Sequence, residues 1–362
     1  MLKFTAGRHF STLPLLLLAF TSHAQNVTTP RTPSPAATVQ QTIGISTVSI
    51  NYSRPSVKGR TVWGSLVPYG YNKQAFGAGN DAPWRAGANE NTVIRLSHPA
   101  KIEGHAVPAG EYGLFFVINE DNTGEVILSK DSRSWGSFWY VADHDLLRAK
   151  ISLREIAPAE MLTYDFQNLT KTSAELVLNW EKKQFPVKIE FDVDDIVMAN
   201  AVEELKGQVG FNWQGFASAA NYALANKVNY SQAIVWIDRA ILISPNFNTL
   251  STKAGLLKAT GNTAQVDSLM RQAVAVGTEN DLNQYGYQLL NEKEYDRAIE
   301  VFVLNTQKHP KSPNTFDSLG EAYANKGDKK NAILNFKRSL SMNPPAATKL
   351  NSEKYLKQLG AM

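Results

Sequence analysis

The sequence predicts a multidomain β + α protein, an antiparallel β-sandwich followed by an all-α solenoid of stacked helical hairpins. Three observations carry this expectation. From Thr38 to about Asp195, short runs of Val, Ile, Phe and Tyr are broken by Gly, Pro, Asn and Asp, the pattern of an all-β domain. Beyond Ile196 the apolar residues recur with the 3.6-residue period of a helix. The last third also echoes itself: Tyr285, Gly286, Leu289, Ala298, Phe302 and Pro310 return 34 residues later as Leu319, Gly320, Tyr323, Ala332, Phe336 and Pro344. A fixed period of this length means units that bury their apolar faces only by stacking.

At the start of the chain, Lys3, Arg8 and His9 precede an apolar run from Phe10 to Phe20, and small residues follow in Ser22-His23-Ala24. This predicts a signal peptide over 1–24, cleavage near Ala24, and an exported protein, periplasmic or secreted. The run falls short of the roughly 20 apolar residues that span a bilayer, and no later stretch reaches that length, so no transmembrane segment is expected. The chain has no cysteine, which excludes disulfides and thiol catalysis and, with none after the cleavage site, disfavours a lipid-anchored lipoprotein. A net charge of +4 over 362 residues is too dilute for a nucleic-acid surface. Residues 25–37 are rich in Thr, Pro and Ser and predict a flexible linker.

The sandwich is expected over 38–195. Its clearest strands contain Val48, Ile50 and Tyr52, then Val93, Ile94 and Leu96, then Leu114 to Ile118. Leu176, Leu178 and Trp180 are answered by Val187, Ile189, Phe191 and Val193, and the polar Glu181-Lys182-Lys183-Gln184 between them predicts a hairpin turn. No helical pattern interrupts these runs, so two packed sheets follow, with a partly closed barrel as the alternative. The solenoid is expected over 196–346. Counting back from the clear repeats, Ala233, Ile237 and Pro245 mark an earlier unit, and Val266 and Met270 a degenerate one. From Ala233 to Val266, Ala298 and Ala332 the spacings are 33, 32 and 34 residues, which makes four units with the second shortened. Residues 347–362 set Leu350, Leu356 and Leu359 against Lys349, Lys354 and Lys357, the two-faced pattern of a capping helix.

A small residue where two helices touch, an aromatic filling the gap and a closing proline are the spacing of the tetratricopeptide repeat, which implies a protein or peptide partner. Gly286, Gly320, Ala298, Ala332, Phe302 and Phe336 are core. The inner wall, lined by the first helix of each pair, is expected to carry Ser218, Tyr222, Asn280, Asn283, Tyr287, Asn314, Asp317 and Glu321. Asparagine donates and accepts at once, which suits an extended peptide backbone; a merely solvated groove is the alternative. Asn226, Asn291 and Asn325 recur at the ends of the first helices as turn caps.

In the β-domain, Arg54-Pro55-Ser56-Val57-Lys58-Gly59-Arg60, Val67-Pro68-Tyr69-Gly70 and Pro83-Trp84-Arg85-Ala86-Gly87-Ala88-Asn89-Glu90 are the most loaded stretches. With Pro108-Ala109-Gly110-Glu111-Tyr112-Gly113-Leu114-Phe115 and Trp135-Gly136, they resemble a bacterial family of exported domains of unknown function, DUF2911, over about Ser34 to Asp195. The combination with tetratricopeptide repeats resembles Bacteroidetes envelope proteins. The sequence departs from the family pattern in a longer stretch from Tyr71 to Ala82, and the resemblance brings no catalytic residues. From the residues themselves, Arg54, Lys58, Arg60, Trp84, Arg85, Asn89 and Glu90 lie in Gly- and Pro-rich loops held by a rigid sheet, where arginines can hold a carboxylate or phosphate. A purely architectural role, with Arg85 paired to Glu90, is the alternative.

His98, Glu103 and His105 form one loose cluster and Asp143, His144 and Asp145 another, but neither has metal-site spacing. Asp192, Asp194 and Asp195 lack the glycine and distal glutamate of a calcium loop and read as a charged domain junction. Trp63, Trp84, Trp135 and Trp139 fit either sugar stacking or core packing. No hydrolase elbow, phosphate loop or zinc-protease helix occurs. The function expected is therefore an exported interaction module of the cell envelope, with no cofactor or metal. A small-ligand or glycan-binding β-domain, or an enzyme using the Arg85 and Asn89 loops, is the alternative.

Overall fold

Alternation builds the first sheet: in Ser46–Ser53, residues Ser46, Val48, Ile50 and Tyr52 are all buried, and the residues between them, Thr47, Ser49 and Asn51, are not. The computed structural model describes residues 33–362; the expected signal peptide and residues 25–32 of the expected linker lie outside the described residues. In chain order the strands are β1 (Ala36–Ile43), β2 (Ser46–Ser53), β3 (Asn72–Lys73), β4 (Asp81–Ala82), β5 (Val93–Leu96) and β6 (Ala100–Ile102). They continue with β7 (His105–Val107), β8 (Gly110–Ile118), β9 (Thr123–Ser129), β10 (Asp145–Ser152), β11 (Arg154–Gln167) and β12 (Ser173–Glu190). One sheet runs β1-β2-β5-β8-β9-β10 and the other β11-β12-β6-β7, with every pairing antiparallel.

The inner faces of both sheets contribute to a single apolar cluster that includes Ile50, Ile94, Leu114, Phe116, Leu128, Leu178, Phe185 and Ile189. Across the interface Phe116 and Phe185 lie 5.1 Å apart, and Tyr52 meets Tyr164 edge-on at 4.8 Å. The domain is thus an antiparallel sandwich. Strand β8 is buried on both faces, because its outward residues Phe115 and Val117 form a second cluster with Ile127, Ala82 and Tyr140. The stretch that departs from the family pattern, Tyr71 to Ala82, supplies β3, β4 and part of this cover.

The expected hairpin at Glu181-Lys182-Lys183-Gln184 does not form. Those residues lie inside the 18-residue β12, which keeps its pairing with β11 on either side of them, with Asn179 opposite Thr163 and Gln184 opposite Arg154. A two-residue hairpin needs positive φ at its turn, and here only Glu181 has it, at 53°. The residues form a bulge instead. That irregularity reverses the alternation, so Leu176, Leu178 and Trp180 before it and Phe185, Val187 and Ile189 after it all face the same core.

The helices are α1 (Val193–Glu204), α2 (Trp213–Asn226), α3 (Tyr230–Ile243), α4 (Phe247–Ala259) and α5 (Val266–Val276). The series goes on through α6 (Glu279–Asn291), α7 (Tyr295–Lys308), α8 (Pro313–Lys326), α9 (Lys329–Ser341) and α10 (Ala346–Gln358). From α2 to α9 they form four hairpins in series, and α10 packs on α8 and α9 at the end. Local chemistry starts several of them: Asn246 with Thr249 and Thr278 with Asp281 are reciprocal capping boxes, and Pro313 opens α8. Asn226 and Asn325 donate to the carbonyls of Tyr222 and Glu321 in their own last turns, and the left-handed position just beyond is taken by Lys227 and Gly327.

Phe302 and Phe336 wedge at equivalent places. Both are fully buried, and a Cβ on Gly286 would sit 2.4 Å from the Phe302 ring, as one on Gly320 would sit 2.9 Å from Phe336. The apolar core of the helices is nevertheless divided, with one cluster over α1 to α4 and another centred on α6 to α8. Between them, at the degenerate second unit, two adjoining cavities of about 670 and 490 Å³ share Met270, Tyr285, Leu289 and Arg297.

At the junction Val193 and Ile196 pack on the sandwich core, and Val193 sits so close to Gly44 that a Cβ there would lie 2.5 Å away. Lys101 Nζ donates to Asp192 at 2.9 Å, and the Tyr222 hydroxyl donates to Asp194 at 2.7 Å. Two of the three junction aspartates thus tie α1 to opposite sides.

Candidate functional site

Two loops of the sandwich converge on a cavity of about 520 Å³, the one that follows β2 and the one that leads into β5. Their backbone conformation is costly. Lys58, Ala86 and Asn89 adopt φ of 49, 52 and 62°, a region that side chains with a Cβ disfavour by about 1 kcal/mol or more. The fold holds Ala86 there by its carbonyl, which accepts from Thr92 Oγ1 at 3.0 Å and from the Tyr164 hydroxyl at 2.9 Å. Trp84 is fixed by a reciprocal pair of backbone hydrogen bonds to Phe116 on β8, each 2.9 Å.

Of the seven residues expected to bind a ligand, Lys58, Arg60, Trp84, Arg85 and Asn89 line this cavity. Arg54 and Glu90 do not; the Arg54 Nε donates to the Leu162 carbonyl at 3.0 Å. Arg85 is held by a backbone carbonyl and an aromatic ring. Its Nη1 donates to the Asn89 carbonyl at 2.6 Å and its guanidinium lies 5.0 Å over the Phe138 ring. Gly136 makes room for it, since a Cβ there would fall 2.2 Å from Arg85 Cζ. Burial lowers the Arg85 pKa, a sign that desolvation of the cation is not offset by a carboxylate. Arg60 likewise donates to backbone carbonyls, those of Ser56 and Val57.

Ser56, inside a loaded stretch but not expected to bind, and Trp180 also line this cavity. Trp180 read as core, and it is 1% exposed, stacked on Trp84 at 5.8 Å with an interplanar angle of 17°. Its Nε1–H has no hydrogen-bond partner among the described residues. Of the other tryptophans, Trp63 packs into the same aromatic group and donates to Glu181, and Trp135 and Trp139 are half exposed away from the cavity.

On the helices the eight expected groove residues separate into two sets. Asp317 is 4% exposed and its carboxylate accepts from Ser352 Oγ and from Asn351 Nδ2 on α10. Burial raises its pKa, with those two hydrogen bonds acting in the opposite direction. The Tyr287 hydroxyl lies 3.2 Å from Glu321, and burial pushes its pKa well up. Glu321 also accepts from Asn351 at 3.3 Å. Tyr222 is held by Asp194, and burial with that hydrogen bond raises it to about 12. Asp317, Tyr287, Glu321 and Tyr222 thus join helix to helix. The signal was available: Tyr287 to Glu321 and Asp317 to Asn351 are both one 34-residue period apart. Asn280 and Ser218 are exposed, Asn283 and Asn314 partly so, and Asn283 Oδ1 is shielded with no partner.

The two histidine clusters are otherwise engaged. His98 Nδ1 pairs with Ser97 Oγ at 2.9 Å, Glu103 accepts from the Lys188 amide, and His144 pairs with Asp131 at 2.6 Å. Among the described residues, no group of three or more metal-binding side chains is present.

Residues 34–189 match the family model described as "Protein of unknown function (DUF2911)", and residues 314–345 match that of a tetratricopeptide repeat. No curated protein matches the chain. Among solved structures it is similar to YrrB, a tetratricopeptide-repeat protein with an unusual peptide-binding site, at 18% identity, covering 44% of this chain and 84% of that one with a TM-score of 0.29. It is similar to pilF of Pseudomonas aeruginosa at 21% identity, with 42% and 71% covered and a TM-score of 0.30. MamA is matched at 16% identity, with 42% and 89% covered and a TM-score of 0.29. The chain therefore joins a DUF2911 domain to tetratricopeptide repeats that follow it.

Proposed function

We propose that the chain is an exported protein-interaction module whose helical repeats dock a protein or peptide partner in the cell envelope. One observation carries the reading. Gln214, Asn248, Asn280 and Asn314 are the second residues of α2, α4, α6 and α8, so the first helices of all four hairpins present a side-chain amide at the same place. Three of the four are exposed and Asn314 is partly so. Gln214, Asn280 and Asn314 make no side-chain hydrogen bond among the described residues. A row of groups that both donate and accept matches the backbone of an extended chain. Polar contacts from Tyr287 to Glu321 and from Asp317 to α10 fix α6, α8 and α10 against one another, which lowers the entropy lost on binding at that end of the row.

Crosslinking with mass spectrometry in the native envelope tests this. A partner crosslinked to the wild type is expected to be lost with Asn280→Ala/Asn314→Ala, an exposed and a partly exposed position whose truncation leaves the helices intact. An unchanged partner profile, or crosslinks confined to residues 34–189, sinks the proposal. Asp317 is unsuitable for this test, because its loss disturbs the repeats themselves. Export is tested separately, by the mass of the secreted chain, expected to begin at Gln25.

A further inference from the structure

The cavity of the β-domain has no part in the docking reading, and its chemistry is more specific. We infer that it binds a small hydroxylated ring compound bearing a carboxylate or a phosphate, that is, a sugar acid or a sugar phosphate. Its volume of about 520 Å³ lies within the range of small-molecule sites.

The charged residues that line it, Lys58, Arg60 and Arg85, are all cations. None of the three forms an ion pair with a carboxylate among the described residues, and both arginines spend hydrogen bonds on backbone carbonyls instead. Cations gathered at a partly enclosed site without paired acids favour an anion, and the planar guanidinium suits carboxylate or phosphate oxygens. Trp84, partly exposed and backed by the buried Trp180 stacked on it, adds an indole face for a ring at the same cavity. Asn89 Oδ1 and Ser56 Oγ make no hydrogen bond among the described residues and provide an acceptor and a hydroxyl for sugar hydroxyls.

Two further observations point the same way. The indole N–H of Trp180, a residue 99% buried, lacks an acceptor, and a buried donor left unpaired costs stability unless something meets it. Left-handed backbone at Lys58, Ala86 and Asn89 places three of the eleven such non-glycine positions among the described residues in the loops of this cavity.

The test is isothermal titration calorimetry on the full exported chain with glucuronate, glucose 6-phosphate, neutral glucose and inorganic phosphate. At least one charged sugar is expected to bind with a dissociation constant below about 1 mM. Glucose and inorganic phosphate should each bind about tenfold more weakly or worse, because each offers only half of the recognised chemistry. Arg60→Gln and Lys58→Met, both at exposed positions, should each weaken the charged sugar about tenfold while leaving the melting temperature unchanged. Binding by glucuronate alone identifies a carboxylate site, and by glucose 6-phosphate alone a phosphate site. The proposal is overturned if neither charged sugar binds at about 10 mM, if glucose or inorganic phosphate binds as tightly as the charged sugars, or if both variants bind like the wild type.

Discussion

Gly286 and Asp317 show how single residues hold the repeats. The Gly286 position leaves no space for a methyl group against Phe302, so Gly286→Ala should destabilise the helical domain by about 1–3 kcal/mol, measured by chemical denaturation. Phe302→Ala leaves a cavity in place of a fully buried ring and should cost about 3–5 kcal/mol. Gly327→Ala is a control of another kind: nothing lies near the added Cβ, and only its φ of 88° is penalised. Asp317 reports through pH. Its folded-state pKa is raised above the unfolded value, so its contribution to stability is fully present at low pH and is lost as pH rises through the folded pKa. Lowering the pH through that folded-state pKa towards the ordinary carboxylate value should therefore add a stabilising contribution from this site. Thermal melts of Asp317→Asn, which cannot titrate, should lack that contribution. Equal pH slopes for the two proteins contradict this account of the buried carboxylate.

Whole elements differ in how firmly they are held. Helix α5 buries only Ala273 and borders both cavities of the solenoid, whereas α7 buries Ala298, Val301, Phe302 and Asn305. Its amides should exchange with deuterium well before those of α7, and equal protection would contradict the divided core. Helix α10 does more than cover an end, because Leu356 fills beside Phe336 and Asn351 and Ser352 satisfy Asp317. Removing residues 346–362 should strand that carboxylate and lower the melting temperature of the repeats. The sequence made α10 legible through its leucines and lysines, but its asparagine and serine were silent, since their role depends on a residue one period earlier. Strand β12 is the converse. The change of alternation between Trp180 and Phe185 was visible, but a hairpin and a bulge both produce it, and only the pairing with β11 separates them.

At the scale of the molecule, the sandwich and the first repeats meet through α1, with Val193 seated on Gly44 and the aspartates bonded to both sides. Val193→Asp would place a charge against that apolar contact and should separate the unfolding of the two domains in calorimetry. A profile identical to the wild type refutes the coupling. The sequence by itself determined the class of each domain, the number of hairpins and where loops fall. Alternation, helical period and a 34-residue echo are properties of one chain read locally, and Gly and Pro announce loops without help from distant residues. Which polar residues would be free was decided only by tertiary structure. Asp317, Tyr287 and Tyr222 looked outward by period, yet each is bonded to a neighbouring helix, and Trp180 looked like core, yet it lines a cavity. Exposure and hydrogen bonding belong to pairs of residues brought together from far along the chain, and no local pattern encodes the partner.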